Sequence, residues 1–312
     1  MLAALTAYPE LGCTGGPYKV MREWGVFDDI LCAGKEESFE FLEAVLTEVM
    51  EIFPSELIHI PQLISLYEKL NYNYATHVFD VKGEFNPNFK KNVLDVVFST
   101  IDDADVYYTT DGSKPSESSI KYDGLFSIDQ DTELKAVAIR NGVKSKMLDE
   151  TIEVNKSTYK PIEFLTTPAR NYDYSGAPLL IDGISGKSTN YRTGRWIGFQ
   201  GDDLVAVIDM LNPTEISNLK INNVVVTGDW IFDTSEIIIE SSNDNSNFIV
   251  VANEVIRTDK NEHWADISSH EISFKPVTAR YYKVTVKCSV MPEWHPGKGR
   301  RAYIFVDEIK LN

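Results

Sequence analysis

The stretch SELIHIPQLISL, residues 55–66, limits what the first part of this chain can become. Leu57, Ile58 and Ile60 form a short apolar run behind a stretch of helical periodicity, the pattern of a buried strand in an α/β unit. Such strands are where enzymes place catalytic carboxylates. Here the strand meets Pro61, which has no backbone N–H and suits the first turn of a helix. QLISLYEKLN follows, with Leu63, Ile64, Leu66, Tyr67 and Leu70 as its apolar residues. The strand's carboxyl end therefore carries no acid.

Upstream, residues 1–34 are rich in glycine and turn residues and read as a long loop crossing the end of an α/β element. From Glu36 to Phe53, Phe39, Leu42, Leu46, Val49, Met50 and Phe53 recur at spacings of three and four, which predicts an amphipathic helix. Asp28 and Asp29 are adjacent, so in extended chain their side chains point apart, whereas general acid work needs two groups converging on one bond. No catalytic residue is assigned. The net charge is −17, of which −9 falls in residues 1–80. No basic face offers itself to nucleic acid or anionic lipid. The apolar runs are far shorter than the roughly 20 residues that span a bilayer, so no membrane insertion is expected. MLAALTAYPELG has no basic region and no cleavage site of a signal peptide. Cys13 and Cys32 suit one bridge or two buried thiols, and Cys288 stands apart from both.

YPELGCTGGPY, WGVFDDILCAG, the helix after them and FPSELIHI together resemble a central portion of the catalytic barrel of family-20 β-N-acetylhexosaminidases of the chitobiase type. In that family the strand ending in His-Ile continues into Gly-Gly-Asp-Glu. The resemblance implies that its Asp would orient the substrate's acetamide and its Glu would protonate the leaving oxygen. This sequence instead passes from Ile60 to QLISLYEKLNYNYATHVFDVKG, which resembles the last helix of the same barrel and its exit. By the resemblance Arg22, Trp24 and His59 would lie near a sugar, without a named duty. A complete (β/α)₈ barrel takes about 250 residues. Residues 1–80 are accordingly expected to be a barrel remnant, poorly folded alone or packed on the next domain.

Residues 84–155 change character. VLDVVFST, DVYYTTDG, TELKAVAI and DETIEVN are β-favouring, with turn signals at Asp111-Gly112, Asp123-Gly124 and Asn141-Gly142, which predicts a small β-sandwich. VYYTTDGSKPS resembles the accessory β-domain that follows the barrel in chitobiase-type enzymes. Tyr107, Tyr108 and Tyr122 suit either a sugar platform or cross-strand packing.

After a polar, proline-containing linker, residues 160–312 alternate β-branched and aromatic residues in runs bounded by Asn, Asp, Gly and Pro, which predicts a second sandwich, a jelly roll. The expected fold class is mainly β: two β-sandwiches preceded by an α/β fragment. LLIDGISGKSTNYRTGRWIGF, LVAVIDM, EIIIESSNDNSNF, RYYKVTVK and FVDEIKL together resemble the discoidin or coagulation-factor C-type (F5/8 type C) domain. In bacterial enzymes that resemblance implies a carbohydrate-binding module. It also implies one structural Ca²⁺ ion, with Asp182 and Glu308 as acidic ligands and backbone carbonyls, Ser185 or Thr189 completing an oxygen shell. Asp182-Gly183 also reads as a plain turn, and Glu308 as a solvated edge residue.

Sugar binding needs a flat apolar ring and nearby polar groups. Trp294 and His295, with Arg300 and Arg301, sit in the proline- and glycine-rich stretch MPEWHPGKGRR and form the preferred pair. Trp264 with His263, Trp230, and Tyr191 with Arg192 are the other candidates, while Trp196 belongs to the core. On this reading Trp294→Ala leaves melting unchanged. The partners expected are glycans, N-acetylhexosamine-containing or galactose-type. Family resemblance points to a periplasmic or cell-surface setting, with any export signal outside this chain.

Overall fold

The structure, a computed structural model, describes residues 76–101, 104–257 and 265–312, together with Lys69. Those from residue 76 on belong to one compact unit, Ala75–Asn312. The expected barrel remnant, the Cys13 and Cys32 pairing, Arg22, Trp24, His59, and the His263–Trp264 pair lie outside the described residues. No helix among the described residues is long and apolar enough to cross a membrane.

What is described is mainly β. The first sandwich has a three-stranded sheet, β1 (Lys82–Asn88), β2 (Val93–Ser99) and β5 (Phe126–Ile128), with β2 central. Its second sheet holds β3 (Asp105–Thr109), β4 (Ile120–Lys121), β6 (Thr132–Arg140), β7 (Val143–Lys144) and β8 (Leu148–Ile152). Alternation decides which side chains face in: Leu94, Val96 and Phe98 of β2 are buried, as are Val106, Leu134, Ala136 and Ala138 of the second sheet. Tyr108 stacks on Phe126 with centroids 4.5 Å apart, and Phe98 meets Tyr122 at 5.2 Å. Two of the three tyrosines weighed as a platform are thus engaged in aromatic packing. Asn141 and Gly142, at φ 49° and 78°, turn β6 into β7 as the Asn-Gly pair requires.

The second sandwich is one folded ladder of seven strands. Two of them are very long: β11 (Leu204–Val226) and β14 (Ala265–Cys288), paired antiparallel along their length. The first part of β11 pairs with β9 (Ile162–Phe164), while its later part pairs with β15 (Tyr303–Leu311). Register shifts at Asp209/Thr214 and Ile216/Asn218 mark where the two strands bend. β10 (Ile197–Gln200) extends the ladder beyond β15, and β12 (Thr234–Ser242) and β13 (Ile249–Val255) extend it beyond β14. Phe199, Ile208, Ile239, Tyr282, Val284, Ile304 and Leu311 fill the interior. Trp196 is fully buried beside Phe305 and donates its indole N–H to the Ser188 carbonyl at 3.1 Å.

The link between the sandwiches is not a loose tether. Ser157 is fully buried, donates to the Ile309 carbonyl at 2.7 Å and accepts from the Leu311 N–H at 3.0 Å. The Glu153 N–H reaches the Gly183 carbonyl at 2.9 Å, and Ile152 bridges Ile184.

Candidate functional site

Two neighbouring hollows on the second sandwich, about 340 and about 280 Å³, share Tyr191, Arg192 and Asp229 and form one shallow cleft. Its floor is aromatic. Tyr172 meets Phe305 edge to face at 4.9 Å and Tyr303 at 6.4 Å, while Tyr191 lies 5.0 Å from Phe305. Gly198 in β10 makes this close packing feasible, because a Cβ there would stand 2.6 Å from the Phe305 ring and 2.9 Å from Tyr172.

Arg192, Asp229 and Trp230 are the polar and aromatic groups of the rim. Thr227–Asp229 is a short 3₁₀ turn closed by Trp230 in the left-handed region, φ 68°. That strained backbone aims the half-buried indole along the cleft wall. The Tyr191 hydroxyl donates to Asp229 Oδ2 at 3.0 Å, and burial raises the tyrosine's pKa. The Arg192 guanidinium lies 5.1 Å from the Tyr191 ring centre, and the neighbouring Tyr172 and Tyr191 hold its pKa above the ordinary value. Arg300 lies over Trp230 at 5.6 Å. Apolar ring surface framed by hydrogen-bonding groups is the chemistry that receives a sugar.

The preferred pair from sequence is placed differently. His295 is 5% exposed; its Nδ1 accepts from the Gly297 N–H at 3.1 Å, so Nε2 carries the proton and donates to the Thr227 carbonyl at 3.2 Å. Both ring nitrogens are engaged, Nε2 on the turn that precedes Trp230 and Nδ1 within its own loop, and Trp230 meets the His295 ring edge to face at 5.2 Å. Trp294 packs half-buried on Phe232, Met291 and Ala302. Sequence suggested exposure because MPEWHPGKGRR has no apolar periodicity; contacts from distant strands bury it regardless. Arg301 pairs with Asp203, away from the cleft. Tyr191, Arg192 and Trp230 do come together, and Arg300 reaches only the Trp230 ring. Tyr172, Asp229 and Tyr303 were missed, although NYDYSG and TGDW set an aromatic beside an acid in turn-rich stretches.

A second cluster lies at the joint. Asp182 Oδ1 accepts from the Ile184 N–H at 2.8 Å and Oδ2 from Arg195 at 3.1 Å. Glu308 Oε1 accepts from the Gly183 N–H at 3.1 Å, whereas its Oε2 is buried without a partner, as are Ser185 Oγ and Tyr159 Oη. Asp307 accepts from Asn222 and the Gly186 N–H, each at 2.9 Å. Desolvation raises all three carboxyls: Asp182 to about 7, Asp307 to about 6 and Glu308 well above the usual range. Glu308 is therefore not a solvated edge residue. Hard, unpartnered oxygen atoms suit a hard divalent cation. Among the described residues no three Asp, Glu, His or Cys side chains converge as metal ligands, so carbonyl and hydroxyl oxygens would have to complete any shell.

Comparison with known proteins assigns each part. A model of the glycosyl hydrolase family 20 catalytic domain matches residues 1–61, an Fn3-associated model residues 96–152, and an F5/8 type C domain model residues 155–302. A β-hexosaminidase of Porphyromonas gingivalis (strain ATCC BAA-308 / W83) is 44% identical over 59 residues, 19% of this chain and 8% of that protein. The chain thus matches a small part of that relative's length. A Streptococcus pneumoniae fucose binding module is 19% identical, covering 51% of this chain and 94% of the module at TM-score 0.34. The lectin domain of lectinolysin complexed with Lewis B antigen is 13% identical, covering 52% and 97% at 0.36. Chitosan-binding module 1 of a Paenibacillus sp. IK-5 chitosanase/glucanase is 16% identical, covering 51% and 99% at 0.32. In order along its length, this chain carries a family 20 glycosyl hydrolase catalytic fragment, an Fn3-associated domain and an F5/8 type C domain.

Proposed function

We propose that this chain is a glycan-binding accessory region related to β-N-acetylhexosaminidases, that it binds sugar at the Tyr191–Trp230 cleft, and that it does not hydrolyse glycosides. The cleft carries the first part: an aromatic floor lies beside Arg192 and Asp229, whose donors and acceptors can meet the hydroxyls of a pyranose, with Arg300 over the Trp230 ring. The second part rests on sequence, since Ile60 is followed by Pro61 and Gln62 where the family places Gly-Gly-Asp-Glu. Without that Asp and Glu, nothing orients the acetamide or protonates the leaving oxygen. N-acetylhexosamine-containing and galactose-type glycans are the first ligands to try. Retention of the purified chain on such a matrix, weakened at least tenfold by Trp230→Ala, supports binding; equal retention of chain and variant discards the cleft. Steady release of a chromogenic leaving group from an N-acetylglucosaminide would discard the non-hydrolytic reading.

The same reading gives the joint cluster one Ca²⁺ ion held by Asp182 and Glu308, with Ser185 and backbone carbonyls as further oxygen donors. The unpartnered Glu308 Oε2 and Ser185 Oγ support it. The ion would supply fixed positive charge that offsets the buried carboxylates. Added calcium is expected to raise Tm by several degrees and a chelator to reverse the rise; no shift in either direction removes the ion. The family relationship supports a periplasmic or surface setting, which cell fractionation tests: recovery solely in the cytosol would reject it.

A further inference from the structure

The electrostatics of the cleft narrow its ligand. The chain has a net charge of −17, yet Arg192, which lines the cleft, and Arg300, which lies over the ring of the lining residue Trp230, have no carboxylate partner among the described residues. Four exposed cations elsewhere are neutralised by carboxylates: Arg280 by Asp209, Arg301 by Asp203, Lys298 by Glu293 and Lys121 by Asp105. Arg192 is held instead against the Tyr191 ring, and Arg300 against the Trp230 ring. Aromatic faces fix a guanidinium in place without neutralising it. The acid of the rim, Asp229, already accepts the Tyr191 hydroxyl at 3.0 Å and forms no ion pair with either arginine. Arg192 in the lining and Arg300 on the Trp230 ring thus put two positioned cations, against one engaged carboxylate, around the aromatic surface.

We infer that the cleft selects glycans bearing an anionic substituent, a uronic carboxylate or a sulfate, whose charge is received by Arg192 and Arg300 while a sugar face lies on the tyrosine and tryptophan rings. Planar guanidinium groups bind both oxyanions through paired N–H donors. The attraction is exposed to solvent and should weaken as salt screens it. This rests on the cleft being a sugar site, and one experiment separates the two ideas. Affinities of the whole chain are measured by calorimetry for matched oligosaccharides: glucuronic acid-containing against glucose-containing, and sulfated against unsulfated galactose-containing, at low and high sodium chloride. The expected result is at least tenfold tighter binding of the carboxylated or the sulfated member of its pair, falling with salt. Arg192→Gln and Arg300→Gln should each bring the charged-to-neutral ratio towards one. Preference for the carboxylated pair alone identifies a uronic acid, and for the sulfated pair alone a sulfate. Neutral members binding as tightly as both charged ones would overturn the anionic preference and leave the sugar site standing, whereas no binding of any member would remove both.

Discussion

Asp209 and Arg280 illustrate how single residues carry pH dependence in this molecule. The arginine donates from Nε and Nη2 to the two carboxylate oxygens, each at 2.8 Å, at the end of the regular β11–β14 pairing. Hydrogen bonding to Arg280 holds the Asp209 carboxyl below its ordinary pKa, a depressed value in the folded state. A depressed carboxyl contributes stability above its unfolded pKa, near 4, and that contribution is lost as pH falls through the folded value. Because Arg280 is well exposed, solvent screens the pair and its contribution is small. Asp209→Asn is expected to lower stability slightly in urea melts at pH 7, by an amount that shrinks as pH is lowered below about 4. A gap that does not shrink on acidification would assign the loss to packing. Trp294 gives a second test at this scale, with the opposite outcome to the sequence expectation. Since the ring packs on Phe232 and Met291, Trp294→Ala should lower stability by about 2 kcal/mol in thermal melts. An unchanged Tm would return Trp294 to the surface.

At the scale of elements, local chemistry was legible where one residue decides a conformation. Asn141-Gly142 announced its hairpin, and both residues take the positive φ that a type I′ turn demands. Gly142→Ala meets no atom within 4 Å, so its cost is conformational alone, about 1 kcal/mol, read as a lower Tm with unchanged far-ultraviolet circular dichroism. A stabilised variant would mean the turn is not type I′. The long strands were legible only in pieces. LVAVIDM and ISNLKINNVVV are separated by Asn212-Pro213, and Pro276 interrupts the later partner, so each looks like two strands with a turn between. The ladder absorbs both prolines at its irregular registers, and the strands run on into the other layer. The aromatic floor was half legible for a related reason: Tyr191 and Trp230 sit in turns, whereas Tyr303 sits in a strand whose pattern reads as core.

Across the two sandwiches, the same loop that presents Asp182 also fastens the neighbouring unit. Arg195 bonds Asp182 at 3.1 Å and Glu150 of the first sandwich at 3.5 Å, with its guanidinium 4.8 Å from the Phe85 ring. Lys310 pairs with Glu153, and Lys187 donates to the Asp149 carbonyl at 3.0 Å. Residues 84–155 and 160–312, separate in the sequence reading, are therefore expected to unfold together. Calorimetry should show one transition for them, with Arg195→Ala lowering its midpoint or splitting it; two transitions in the unaltered protein would show that each sandwich melts alone. Sequence composition could not reveal this joint, because Ser157 and Lys156 read as linker residues until the last strand is laid against them.

The buried seam at Ser157 has a mechanical consequence. Two sandwiches that cannot swivel about a tether offer the cleft at one fixed bearing, so a chain landing on a polysaccharide surface would hold its preceding sandwich at a set tilt above that surface rather than let it roam.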